Sequence, residues 1–140
     1  MRSIVLLLAF YAVSALSSCG PTRAYAGDPL PRGDVAVIDL GGATTEGYFL
    51  ELRYIDGREV EPRGSYEILP GRHVLEGVVG DRDGMVPGGP YALTFTAIPG
   101  SDYELAAARM RYKNRLSAEI VDNQSGARVA YVESQRTSSP

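Results

Sequence analysis

From residue 34 onward the chain is a succession of short apolar runs separated by Gly, Pro and Asp. Residues 35–40 (VAVIDL) are a β-branched run closed by Gly41-Gly42. Residues 48–55 alternate with period two: Tyr48, Leu50, Leu52 and Tyr54 face one way, and Glu51 and Arg53 the other, as in a strand with one buried face. Asp56-Gly57 then reads as a hairpin turn, because glycine tolerates positive φ. After a looser stretch, residues 66–69 run into the turn dipeptide Pro70-Gly71. Residues 73–79 give the next strand, with His73, Leu75 and Val79 on one face. Residues 80–90 (GDRDGMVPGGP), with four glycines and two prolines, are expected to form a long polar loop. Residues 91–98 (YALTFTAI) are the clearest alternating strand, with Tyr91, Leu93 and Phe95 inward. Residues 103–112 (YELAAARMRY) carry helix-favouring Ala, Leu, Arg and Met, yet they lie between two strands and are assigned as a strand. Residues 116–121 and 127–132 pair across the turn 122–126. About seven strands at intervals of roughly 8–12 residues predict an all-β chain folded as a single small antiparallel β-sandwich.

The first 33 residues follow a different pattern. Arg2 precedes a continuous apolar stretch from Ile4 to Val13, the layout of a secretory signal. That stretch is shorter than the roughly 20 residues of a permanent membrane helix. The expected organisation is therefore a signal peptide at 1–18, an extended tether at 19–33, the β-sandwich at 34–132 and a polar frayed tail at 133–140. Pro21, Pro29 and Pro31 make the tether extended, with a reach of up to about 40 Å.

Composition narrows the chemistry. The chain has 140 residues, 44% of them hydrophobic, which is enough for one core. A formal charge of −3, falling to −4 when Arg2 leaves with the signal, excludes nucleic acid as an expected partner and predicts no attraction to anionic lipid. One cysteine forms no internal disulfide, and one histidine supplies no multi-His metal site, so neither a metal nor a cofactor is expected.

Leu16-Ser17-Ser18-Cys19 resembles the bacterial lipobox: an aliphatic residue, two small ones, and a cysteine that is lipidated and becomes the new N-terminus. The resemblance implies acylation of Cys19, anchoring in the bacterial envelope and, because Gly20 rather than Asp follows, the outer membrane facing the periplasm. Asp56-Gly57, residues 66–77 (YEILPGRHVLEG) and the late 122–126 turn together resemble the PEGA-like β-sandwich domains of small envelope lipoproteins. That likeness implies an interaction or structural module rather than an enzyme. The partner would be the membrane itself through Cys19, together with an envelope protein or polymer. Contact through an edge strand would make the chain an accessory subunit of a larger envelope machine.

Several side chains are candidates for chemistry. His73 with Asp81 or Asp83 is the acid–base candidate of a small hydrolase or sensor, although no G-x-S-x-G nucleophile turn occurs. Asp81, Asp83 and Gly84 begin like a calcium loop, but no carboxylate completes it at 85–90. Tyr48, Tyr54, Tyr66, Tyr91, Tyr103 and Tyr112 offer either core filling or a shared groove for glycan or peptide, with Tyr91 and Tyr103 the interaction candidates. Arg109, Arg111, Lys113 and Arg115 fall at alternate positions, which on a strand places all four on one face toward an anionic polymer or headgroup.

Overall fold

A computed structural model describes residues 20–40, 47–61 and 64–136. Residues 1–19, with the expected signal segment and the expected lipidation site Cys19, lie outside the described residues. So does Gly41-Gly42, expected to close the first strand.

Among the described residues the chain forms strands β1 (Thr22–Arg23), β2 (Ala36–Asp39), β3 (Tyr48–Ile55), β4 (Arg58–Glu59), β5 (Ser65–Ile68), β6 (Gly71–Asp81), β7 (Gly89–Ala97), β8 (Asp102–Arg109), β9 (Leu116–Asp122) and β10 (Arg128–Glu133). They build two sheets, one ordered β1-β5-β2-β8-β9-β10 and the other β4-β3-β6-β7. The fold is the all-β sandwich that the alternation predicts. The larger sheet is nevertheless mixed, because β1 runs parallel to β5 and β2 parallel to β8. Parallel neighbours need a long crossover, and between β2 and β8 the chain builds the entire second sheet.

Period two decides which side chains enter the core. Leu50 and Leu52 of β3, Leu75 and Val79 of β6, Tyr91, Leu93 and Phe95 of β7, and Tyr103 and Leu105 of β8 are all buried. Across the sheets the Phe95 ring meets the edge of Tyr103 at 5.3 Å between centroids. The Tyr103 hydroxyl also accepts the Ile98 amide at 3.0 Å, fixing the β7–β8 corner. Residues 102–109 are thus a strand despite their helical propensity, because Tyr103 and Leu105 must both reach one buried face. A bulge in β3 between Leu52 and Tyr54 lies beside Gly77 of β6. A Cβ on Gly77 would stand 1.8 Å from the Glu51 carbonyl oxygen, so the close approach of the two strands requires glycine there.

Three expected boundaries change. The segment 20–33 is not a free tether, since Thr22 and Arg23 add a strand to β5 and the Ala24 amide donates to Glu67 O at 2.9 Å. The Tyr25 hydroxyl donates to Glu67 Oε1 at 2.6 Å, and the Arg32 guanidinium pairs with Asp102. Prolines favoured extension as expected, and an extended segment beside an open edge is also suited to pair with it. The expected loop 80–90 shrinks to 82–88, because β6 continues to Asp81 and β7 begins at Gly89. Finally, the tail is held through Gln135: Ser134 is buried with its amide on Leu116 O, and the Gln135 amide donates to Pro90 O at 2.8 Å.

The registers also fix directions. Thr22 is level with Tyr66, Tyr66 with Ile38, and Ile38 with Tyr103. Going backward from Thr22, β1 points the way β8 runs forward, toward Arg109. The chain upstream of Thr22 therefore leaves the sheet at the end that carries the β8–β9 turn.

Candidate functional site

Two places gather the candidate side chains. The first is the junction of the Asp56-Gly57 turn with the start of β6. Asp56 and Gly57 both have positive φ, at 53° and 78°, as a tight two-residue hairpin demands. Asp56 then reaches across to β6: Oδ1 accepts the Val74 amide at 2.8 Å, and the Asp56 amide donates to Val74 O at 2.8 Å. His73 Nδ1 lies 2.6 Å from Asp56 Oδ2, and its Nε2 lies 2.6 Å from Leu69 O. A carboxylate and a carbonyl both accept, so making the two bonds together uses an N–H on each ring nitrogen.

In a nucleophilic triad the second imidazole nitrogen faces a hydroxyl or thiol. Here it faces a backbone carbonyl. The expected partnership of His73 with Asp81 or Asp83 is replaced by Asp56, because the β3–β6 register brings the hairpin beside His73 while Asp81 lies at the far end of β6. Asp81 has a different task. Its carboxylate accepts the amides of Asp83, Met85 and Val86 at 3.1, 3.0 and 2.9 Å, folding the 82–88 loop and burying Val86. Among the described residues no group of three His, Cys, Asp or Glu side chains is placed to hold a metal ion.

The second place is the outer face of the larger sheet where β8 turns into β9. β8 ends at Arg109, and residues 110–115 form a turn closed by the Met110 amide on Arg115 O at 3.0 Å. The expectation that Arg109, Arg111, Lys113 and Arg115 share one strand face therefore fails, since only Arg109 lies in a strand. Leu116 is fully buried on β9, and the chain must reverse before it to return that side chain to the core. Arg109, Arg111 and Lys113 still gather around a groove of about 480 Å³ floored by Ala108, Ser117 and Glu119, while Arg115 lies outside its lining. Small side chains at 108 and 117 keep that floor low, while the turn forms one wall and Arg128 with Tyr131 of β10 the other.

The groove's charges are partly compensated. Lys113 Nζ and Arg115 Nη1 reach Glu133 at 2.8 and 3.3 Å, and Arg128 pairs with Glu119 at 3.5 Å. The hydrogen bond from Lys113, aided by the charges of Lys113 and Arg115, holds the Glu133 carboxyl below its ordinary range. Five cations thus meet two carboxylates, leaving a positive patch on an acidic chain. Tyr112, at the tip of the turn, is 96% exposed, and the Arg128 guanidinium stacks on the Tyr131 ring at 4.3 Å.

Arg128 and Tyr131 are groove residues that alternation along the strand does not reveal. Three positions apart, they would face opposite sides of a regular strand; a bulge between Arg128 and Ala130 turns both outward. A shared tyrosine surface does not form. Tyr48, Tyr66, Tyr91 and Tyr103 are buried, and Tyr91 and Tyr103 are core residues rather than interaction residues. Burial also pushes the Tyr91 phenol far above its ordinary range.

Comparison with protein-family models, with curated proteins and with solved structures returned no match. Among the described residues no helix is long and apolar enough to cross a membrane.

Proposed function

We propose that the chain is a lipid-anchored lipoprotein of the bacterial envelope whose PEGA-like β-sandwich serves as a non-enzymatic interaction or structural module, held at the outer membrane facing the periplasm. The observation that carries this reading is the sole cysteine of the chain, placed at the end of an apolar leader in the order Leu16-Ser17-Ser18-Cys19. The position of β1 agrees with it. Cys19 is three residues ahead of Thr22, a span of at most about 11 Å of chain. The commitment of both His73 nitrogens to structural partners supports the non-enzymatic part.

Metabolic labelling with an alkyne analogue of palmitate tests the anchor. The full chain should take up label and fractionate with membranes, and Cys19→Ala should lose both properties. An unlabelled wild-type chain, or a Cys19→Ala chain still held at the membrane, would refute it.

A further inference from the structure

The net charge of the chain argues against any pull toward an anionic surface, yet charge is unevenly placed. Within 109–115 there are four cations and no acid. The most exposed large apolar side chain among the described residues, Tyr112, stands in the middle of them. Arg109 makes only a long 3.5 Å contact to the neutral Asn114, so its charge is not met there by a carboxylate. Opposite charges elsewhere on the domain are screened beyond about 8 Å at physiological ionic strength, so the local patch governs a surface contact.

We propose that the 110–115 turn and the groove behind it are a second membrane contact, in which Tyr112 enters the interfacial layer and the surrounding Arg and Lys side chains bind the headgroups of anionic phospholipid. The proposal rests on the lipid-anchor reading for its orientation. Three observations point to a bilayer rather than to a soluble partner. Tyrosine, with an apolar ring and a hydroxyl tip, is a residue type enriched at membrane–water interfaces. Cations flank it in sequence and in space, and each gains from an anionic surface.

The third observation is position. The chain upstream of β1 leaves at the same end of the sheet as the turn. β1 and β8 are separated by three strand spacings, about 14 Å. Along the strands, Arg109 at the end of β8 lies six residues beyond Tyr103, about 20 Å. The several acyl chains that the lipobox reading implies would fix attachment, and a basic patch contacting the same bilayer would fix orientation.

The chain contains no tryptophan, so Tyr112→Trp gives the full-length protein a sole indole at an exposed site. The processed protein is reconstituted into vesicles of phosphatidylcholine with or without phosphatidylglycerol, and acylation of the same preparation is read by mass. With phosphatidylglycerol present, the indole emission should shift to the blue and be quenched by brominated lipid. Replacing both Arg109 and Arg111 by Ser should reduce the apposed fraction relative to the free one by about thirtyfold, and high salt should act in the same direction. An indole that remains open to iodide on vesicles overturns the proposal. So does an equal response to phosphatidylcholine alone, or a response to soluble dextran sulfate without one to vesicles, which would assign the groove to an anionic polymer. Absence of the acyl group with the indole response intact overturns the anchor and leaves the turn contact standing.

Discussion

His73 is 11% exposed in its side chain and joins two turns that are distant in sequence, the Asp56-Gly57 hairpin and the Leu69 to Gly71 corner. Loss of either partner leaves the other without its mate, and hydrogen bonds to a charged group contribute about 1.5–3 kcal/mol each. His73→Ala and Asp56→Ala should each lower stability by about 1–3 kcal/mol in urea unfolding. The double variant should cost less than the sum by about 1 kcal/mol, because both changes remove the same bond. Strict additivity would show that the pair does nothing for the fold. The turn chemistry of Asp56-Gly57 and Pro70-Gly71 was legible in the residues themselves. Their meeting was not, because it depends on the β3–β6 register, and no local pattern encodes which carboxylate a strand neighbour delivers.

At the level of the element, the β8–β9 turn is tied to β10 by Lys113 and Arg115 on Glu133. Glu133 titrates below its ordinary value of 4.5 in the folded chain because Lys113 donates to it. A folded value below the unfolded one stabilises the contact at neutral pH and down through the ordinary carboxylate range. The contribution disappears as acid carries the pH below 4.5 and through the lowered folded value. Amide shifts of the 110–115 turn should therefore stay constant from neutral pH through the ordinary carboxylate range and move together only as the pH falls through the lowered folded value. Glu133→Gln should abolish this step, and an unchanged acid profile in that variant would show that Glu133 does not hold the turn. β8 stops at Arg109 and not at the expected Tyr112, because the chain turns over 110–115 to return Leu116 to the core, whereas the boundaries of β9 and β10 followed from alternation and from the Asp122 to Gly126 turn residues. The gathering of cations did not, since a turn and the β10 bulge, rather than strand parity, place Arg111, Lys113 and Arg128 around one groove.

Across the whole molecule, the segment ahead of the sandwich is part of the larger sheet. The Ala24 amide, bonded to Glu67 O, should exchange with deuterium more slowly than an unprotected amide. Tyr25→Phe, by removing the hydroxyl bond to Glu67, should speed that exchange by about five- to tenfold, as the loss of about 1 kcal/mol implies. Exchange at the unprotected rate in the parent chain would mean that β1 is not formed in solution. Docking of this segment makes residues 22–24 part of the larger sheet instead of a spacer ahead of it. The amino-acid order by itself determined the all-β class, the inward faces of β6 and β7 and of β3 as far as Leu52, beyond which the bulge turns Tyr54 outward and Ile55 inward, and the turns at Asp56-Gly57, Pro70-Gly71 and residues 122–126, because period-two alternation and turn preferences are local. It also marked Cys19 through its neighbours. Only the tertiary structure decided that β1 joins β5, that β2 lies parallel to β8, that His73 meets Asp56, and that one end of an acidic chain carries a basic groove. Each of these depends on which strands become neighbours, and that choice is made by burying the apolar faces together across long stretches of chain.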